Sequence, residues 1–194
     1  MSQPSLFSLE EAPPIYPSGF RLMEDLITPQ EEAALLATIQ PLPFKHFEYE
    51  GYEGHRRVIS YGWDYDFNTH TLHTAEPIPT FLHNLRTKAA TFAEMNPEDL
   101  QQAIVTEYAP GAGIGWHRDR PMFEKIVGIS LSAPCTFRLR LRTTQPAHTW
   151  ARINLMAAPR SAYLISGESR TQWEHSIPPV EQLRYSITFR NYKP

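Results

Sequence analysis

Apolar and polar residues alternate at period two through the C-terminal half of the chain. The stretches "QAIVTEY" (102–108), "KIVGISLS" (125–132), "CTFRLRLR" (135–142), "RINLMA" (152–157), "SAYLIS" (161–166), "QWEHSI" (172–177) and "RYSITFR" (184–190) are short and rich in β-branched and aromatic residues. Pro, Gly, Ser and Asn separate them. Such spacing predicts an antiparallel sandwich or barrel. The N-terminal half reads differently. Residues 1–18 show little periodicity and are expected to form a mobile arm. "FRLMEDLI" (20–27) predicts a strand. "TPQEEAALLATIQ" predicts a helix with a full start signal: Thr28 as cap, Pro29 at the first helical position and Glu31 closing a capping box. A second helix is predicted from Pro79 to Met95, with Ile78, Phe81, Leu82, Leu85, Ala89 and Phe92 on one face. "NPED" (96–99) ends it. The expected fold is mainly β with supporting helices. A jelly-roll core over 100–194 is supported by a helical and aromatic segment over 19–99, in one domain spanning 19–194.

Composition narrows the class. The 194 residues are 41% apolar and 20% charged, as in an ordinary globular domain. No apolar run approaches the ~20 residues that span a bilayer. The start of the chain lacks a basic stretch followed by an apolar one, so no secretory signal is expected. A single cysteine, Cys135, excludes an intrachain disulfide and a thiolate zinc site. It fits a reducing compartment, and the cytoplasm is expected. The formal net charge of −3 excludes nucleic-acid binding through bulk positive charge, so any such contact needs a local patch. Eighteen prolines favour many short elements over long helices.

Candidate chemistry begins at "GIGWHRDRP" (113–121). In a strand, His117 and Asp119 project to one face, with Trp116 and Arg118 turned away. An imidazole and a carboxylate converging on one point suit a divalent metal, although a surface turn would read the same. His175, flanked at period two by Trp173 and Ile177, offers a third ligand; a core histidine bonded to backbone is the other reading. Two histidines and one carboxylate make the facial triad of non-heme Fe(II) oxygenases. The other histidines, at 46, 55, 70, 73, 83 and 148, are expected in loops or on helix surfaces. In "RYSITFR", Arg184, Ser186, Thr188 and Arg190 share one face, and Tyr185, Ile187 and Phe189 the other. Facing outward, the arginines are ordinary surface charge. Facing inward, they need an anion, and a dicarboxylate such as 2-oxoglutarate would supply it.

Taken jointly and in this order, these features resemble the AlkB family of 2-oxoglutarate/Fe(II)-dependent dioxygenases. "EYAPGAGIGWHRD", "GESR" and "RYSITFR" carry the resemblance over about residues 100–190. "RRVISYGWDYDF" (56–67) carries it more loosely, where the family's substrate-recognition lid begins. "GESR", the Trp-x-His spacing and Ser186 look closer to the branch that hydroxylates tRNA wobble uridine modifications than to the bacterial DNA-repair founder. The resemblance implies a double-stranded β-helix in which His117, Asp119 and His175 bind Fe(II) and form the catalytic centre. It implies that Arg184 grips the distal carboxylate of 2-oxoglutarate, helped by Tyr108 and Ser186. Thr106 stands where many members carry an amide, and Arg190 lies nearer the metal. The implied reaction consumes O2 and 2-oxoglutarate, yields succinate, and hydroxylates a C–H bond; a hydroxylated N-methyl group then sheds formaldehyde. One departure concerns substrate contact: Pro121 occupies the place, two after Asp119, where many repair members carry an acid.

For the substrate, "YGWDYDF" puts Tyr61, Trp63, Tyr65 and Phe67 on one face at period two. That face either stacks on a flipped base or packs into the core. Arg56, Arg57 and Arg118 supply positive charge nearby, and the substrate contacts expected are Tyr61, Trp63, Arg57 and Arg118. Arg138, Arg140 and Arg142 alternate with apolar residues, as an outer row that either tracks phosphates or meets solvent. "QPSLF" (Gln3 to Phe7) resembles the peptides with which bacterial replication proteins dock on the sliding clamp, which makes the clamp a candidate partner. The expected substrate is an alkylated base in DNA, RNA or tRNA. The alternatives are the same chemistry on a protein side chain or small molecule, and a non-catalytic jelly-roll module that keeps its metal for folding. A monomer with no membrane partner is expected.

Overall fold

The computed structural model describes residues 15–49, 52–66, 71–143 and 149–193. The clamp-like Gln3–Phe7, together with Phe67, His70 and His148, lies outside them, as does the side chain of Tyr65. In chain order the elements are β1 (Phe20–Met23), α1 (Pro29–Ile39), β2 (Lys45–Tyr49), β3 (Tyr52–Tyr61), β4 (Trp63–Asp66), β5 (Thr71–Thr74) and α2 (His83–Ala93). There follow β6 (Gln102–Tyr108), β7 (Ile114–His117), β8 (Phe123–Leu131), β9 (Cys135–Arg142), β10 (Trp150–Ala157), β11 (Ala162–Ile165), α3 (Gly167–Thr171), β12 (Glu174–Ile177) and β13 (Arg184–Tyr192). A major sheet runs β1-β11-β8-β13-β6-β3-β2, a minor sheet runs β10-β9-β12-β7, and β4 and β5 form a hairpin. The fold is the mainly β, two-sheet architecture the period-two pattern predicts.

Local chemistry explains the element ends. The α1 capping box is complete: the Glu31 backbone N–H donates to the Thr28 hydroxyl at 3.2 Å, and the Thr28 N–H donates to the Glu31 carboxylate at 2.8 Å. The second helix is shorter than its apolar face predicts. Its first turn, Thr80–Leu82, is a 3-10 turn, and it stops at Glu94, which adopts φ 54°. The first strand stops at Met23 rather than residue 27, because Asp25 turns the chain at φ 49°. The N-terminal segment also does more than support the barrel. It adds β1 beside β11, β3 beside β6 and β2 at the edge of the major sheet.

β13 lies between β8 and β6 and divides the interior into two. Tyr185, Ile187 and Phe189 turn toward α1 and α2, joining Val105, Val127, Ile129, Leu85 and Ala89 in one buried cluster. A second cluster, between the sheets, holds Tyr108, Ile126, Phe137, Leu139, Tyr163 and Ile177. Alternation therefore sends Arg184, Ser186, Thr188 and Arg190 into the space between the sheets. Gly128, opposite Tyr163, is required by close approach: a Cβ there would lie 2.2 Å from the Tyr163 ring.

Because Phe189 belongs to the helix-facing cluster alone, Phe189→Ala should cost about 3–5 kcal/mol of stability. Urea denaturation checks the loss, and cosubstrate affinity of the folded protein should stay at the wild-type value.

Candidate active site

β12 pairs antiparallel with β7 so that His175 lies directly opposite His117. The next paired residues are Ile177 and Ile114, so β7 spends three steps where β12 spends two. This bulge at Gly115–Trp116 turns both Ile114 and His117 inward, which plain alternation forbids, and sends Trp116 out. β7 ends at His117, and Asp119 follows in the irregular segment beyond it. The expectation of His117 and Asp119 sharing one strand face is thus corrected: irregular backbone after the strand, not a pleat, brings the carboxylate round. Trp116 and Arg118 are not simply turned away either, since both reach the cavity wall.

The ligand atoms of His117, Asp119 and His175 all lie within 4.8 Å of one another. The imidazole rings are 4.2 Å apart, and His175 Nε2 is 3.3 Å from Asp119 Oδ2. Adjacent donors at about 2.1 Å from an octahedral ion are separated by roughly 3 Å, which the His175–Asp119 pair nearly meets, and the three groups converge closely enough to share one divalent metal. His117 Nδ1 lies 2.9 Å from the Gly115 carbonyl, which can only accept; Nδ1 is the donor and Nε2 keeps its lone pair. The His175 ring stacks on Phe137, with centroids 5.6 Å apart. Burial, reinforced by His117, pushes the His175 pKa down to about 3 despite Asp119. For Asp119 burial works upward, but Arg190, His175, His117 and Arg170 together hold the carboxyl well below its usual range. A neutral imidazole and an ionised carboxylate are the protonation states metal binding requires.

Around this centre the β6–β13 register sets the second feature. Tyr108 pairs with Arg184, Thr106 with Ser186, and Gln102 with Arg190. Arg184 is wholly buried. Its guanidinium lies 4.8 Å from the Tyr108 ring and donates one bond, 3.2 Å, to the Ser130 hydroxyl. Its Nε and Nη1 have no partner. An unpaired buried cation is costly, so the site is built for an anion. Arg190 donates to Asp119 Oδ1 at 2.8 Å and to Gln102 Oε1 at 3.2 Å, with Nε unpartnered. One Asp119 oxygen thus faces Arg190 and the other faces His175.

A cavity of about 1480 Å³ opens over these groups, lined by Arg56, Thr106, Tyr108, Trp116, Tyr163 and Arg170 among others. A smaller groove of about 790 Å³ between β1 and α2 is mostly apolar and holds no converging metal ligands. Three of the four expected substrate contacts do not reach the cavity. Tyr61 lies opposite Ala103 and packs with the helix-side cluster. Arg57, on the same face, pairs with Glu107 at 2.7 Å and lies over Phe44. Strand alternation gives the cavity their neighbours Arg56, Val58 and Ser60 instead. Trp63 is corrected too: Gly62, at φ 77°, ends β3 and breaks the period, and the indole packs edge-on against Tyr192 at 5.8 Å. Arg118 does line the cavity, donating to the Thr171 carbonyl at 3.1 Å. His46 and His73, expected in loops, stand in β2 and β5 on the cavity wall. Arg170 and Gln102 were not singled out by the sequence; their inward phase in "GESR" and "QAIVTEY" is the signal that marks them.

The profile of the 2OG-Fe(II) oxygenase superfamily matches residues 19–190. The chain belongs to that superfamily. Its relatives are of the AlkB and ALKBH8 kind. It is 28% identical to the Xenopus tropicalis tRNA (carboxymethyluridine(34)-5-O)-methyltransferase alkbh8, over 86% of this chain and 26% of that protein. It is 30% identical to the Arabidopsis thaliana alkylated DNA repair protein ALKBH8 homolog, over 82% of this chain and 51% of that one. Against the alpha-ketoglutarate-dependent dioxygenase AlkB of Escherichia coli the identity is 29%, over 58% of this chain and 55% of that protein. The chain thus spans from about a quarter to about half of these relatives. Among solved structures, that of OsALKBH1 superposes with a TM-score of 0.69 at 14% identity, covering 92% of this chain and 99% of that one. A Pseudomonas putida prolyl-4-hydroxylase superposes at 0.60 and 12% identity, covering 91% and 94%. Both share the fold.

Fe(II) and 2-oxoglutarate are therefore the cofactors; the His117–Asp119–His175 triad would hold the metal, and the orphaned Arg184 guanidinium would suit a carboxylate of the diacid. When bound, they supply O2-dependent oxidation of a C–H bond, with release of succinate and CO2. The chain's own residues position these partners. Arg190 fixes the Asp119 carboxylate, and Phe137 fixes the His175 ring. The Tyr163 hydroxyl stays protonated, because burial raises its pKa.

If Arg184 is an anion clamp, Arg184→Met should raise the stability of the cosubstrate-free protein, by about 1–4 kcal/mol for a buried charge replaced by an apolar chain. It should also abolish the thermal shift that 2-oxoglutarate gives the wild type. Differential scanning fluorimetry with and without the diacid reads both.

Proposed function

We propose that this dioxygenase hydroxylates or demethylates a modified base in nucleic acid, and that its substrate is RNA of the tRNA kind. The carrying observation is the charge of the cavity. Among the described residues, Lys45, Arg56, Arg118, Arg120, Arg170, Arg190 and Lys193 line it against Glu48 and Asp119, in a chain whose net charge is −3. Concentrating cations at one mouth of an acidic protein focuses an anionic partner there. At about 1480 Å³ the cavity exceeds the ~300–1,000 Å³ typical of small-molecule pockets, which leaves room for a nucleobase beside the cosubstrate. Arg56 stands 3.7 Å over the Phe47 ring at the wall, and burial together with Arg190 lowers its pKa, a strain that a phosphate would relieve. The name of the frog relative, a tRNA (carboxymethyluridine(34)-5-O)-methyltransferase, supports a uridine in tRNA, while that of the Arabidopsis relative refers to alkylated DNA.

The test is mass spectrometry of bulk tRNA and of a panel of methylated or carboxymethylated RNA and DNA oligonucleotides. Each is incubated with Fe(II), 2-oxoglutarate and ascorbate. A defined mass change with the wild type and none with His117→Ala supports the proposal. Succinate formation indifferent to every nucleic acid contradicts it, and points to a protein side chain or small molecule as substrate.

A further inference from the structure

We infer that the outer face of the minor sheet is a track for the sugar–phosphate backbone of a single-stranded nucleic acid whose modified base occupies the cavity. This rests on the nucleic-acid reading above and extends it to a surface outside the metal site. The period-two pattern of β9 sends Arg138, Arg140 and Arg142 outward, while Phe137, Leu139 and Leu141 face the core. Register then adds a second row: in β10, Arg152 lies opposite Arg140 and Trp150 opposite Arg142. On the other side β12 places Glu174 opposite Arg140 and Ser176 opposite Arg138. Arg140 pairs with Glu174 at 2.5 Å, and Arg138 donates to the Ser176 hydroxyl at 2.9 Å. Glu174 is the one acid on these strands facing outward among the described residues, against four arginines.

Aromatic rings hold this row in place. The Arg140 guanidinium lies 4.4 Å from the Trp116 ring and 4.2 Å from the Trp150 ring, and Arg138 lies 4.9 Å from Trp116. Held over aromatic rings and tethered through Nε, each guanidinium keeps its terminal nitrogens as the ones that could meet a phosphate. Trp150 is 37% exposed, unusual for so large an apolar ring, and offers a surface on which a base can stack. The row is also continuous with the active site. Trp116, pushed outward by the β7 bulge, belongs both to the stack and to the cavity wall, next to the ligand His117. Four strands spaced ~4.8 Å apart place the whole face within about 15 Å of that wall. A strand leaving the cavity over Trp116 crosses β12, where Glu174 and Ser176 are bonded to Arg140 and Arg138, then meets those two arginines on β9, and then Arg152 and Trp150 on β10. The alternating arginines and exposed indole match a backbone with stacked bases and suit a folded protein surface less well.

The experiment is fluorescence anisotropy of the full chain, loaded with Mn(II) and 2-oxoglutarate, against an unmodified fluorescein-labelled single-stranded RNA. An oligomer of roughly 20 nucleotides at about 50 mM salt keeps phosphate contacts measurable. Arg152→Glu and Trp150→Ala, both remote from the metal, should each weaken binding about tenfold or more. Arg152→Glu should also flatten the salt dependence by about 0.7 in slope per lost phosphate contact. Both variants should convert 2-oxoglutarate to succinate at the wild-type rate without nucleic acid, and act normally on a modified trinucleotide too short to reach the face. Unchanged affinity for the long RNA in both variants overturns the track and leaves the proposed substrate class standing. A wild type that neither binds nor responds to any nucleic acid removes the substrate class, and the track with it.

Discussion

A guanidinium buried without a counter-charge is the constraint around which this interior is organised. Arg184 is wholly enclosed, bonded once to Ser130, with two of its nitrogens left unpartnered. No fold keeps such a group for stability alone, because an apolar residue of similar size is usually worth more. Its retention makes sense as binding energy held back for an anion. The surroundings agree. Arg184 sits beside Tyr108 on the paired strand and behind the wall of the same cavity in which the metal ligands converge.

The same strand that isolates Arg184 also couples the anion site to the metal site. β13 carries Arg184 at one end and Arg190 six residues on, both in the inward phase. The second of them bonds the metal-ligand carboxylate of Asp119. On the opposite sheet the β7 bulge rotates His117 to meet His175. Two ligands thus stand on paired strands and the third in the irregular segment after β7, where Arg190 orients it. The other face of β13 is the helix-side core of Tyr185, Ile187 and Phe189, so one strand carries both sites and is anchored by packing outside them.

Much of this was legible in the sequence because strand periodicity is local. "RYSITFR" divides its residues correctly between two faces, and the α1 capping box is realised bond for bond. The three ligands were readable as residue types in order, and the structure brings them together. What failed were phases that depend on irregular backbone. Gly62 at positive φ interrupts the run from Tyr61 to Trp63, and the β7 bulge and the irregular segment after it reset the phase of Asp119. Pairing with β6 fixed which face of β3 looks inward, so Arg56 and not Arg57 reached the cavity. A strand's pattern shows that two faces exist, and only its partner shows which one is inside.

Crystallography of the protein with Mn(II) and 2-oxoglutarate, using the metal's anomalous signal, tests the central claim most directly. The account predicts one anomalous peak bonded to His117, Asp119 and His175, with the distal carboxylate of the diacid bridging to the Arg184 guanidinium. A metal bound elsewhere, or a diacid seated with Arg184 still unpaired, would contradict it.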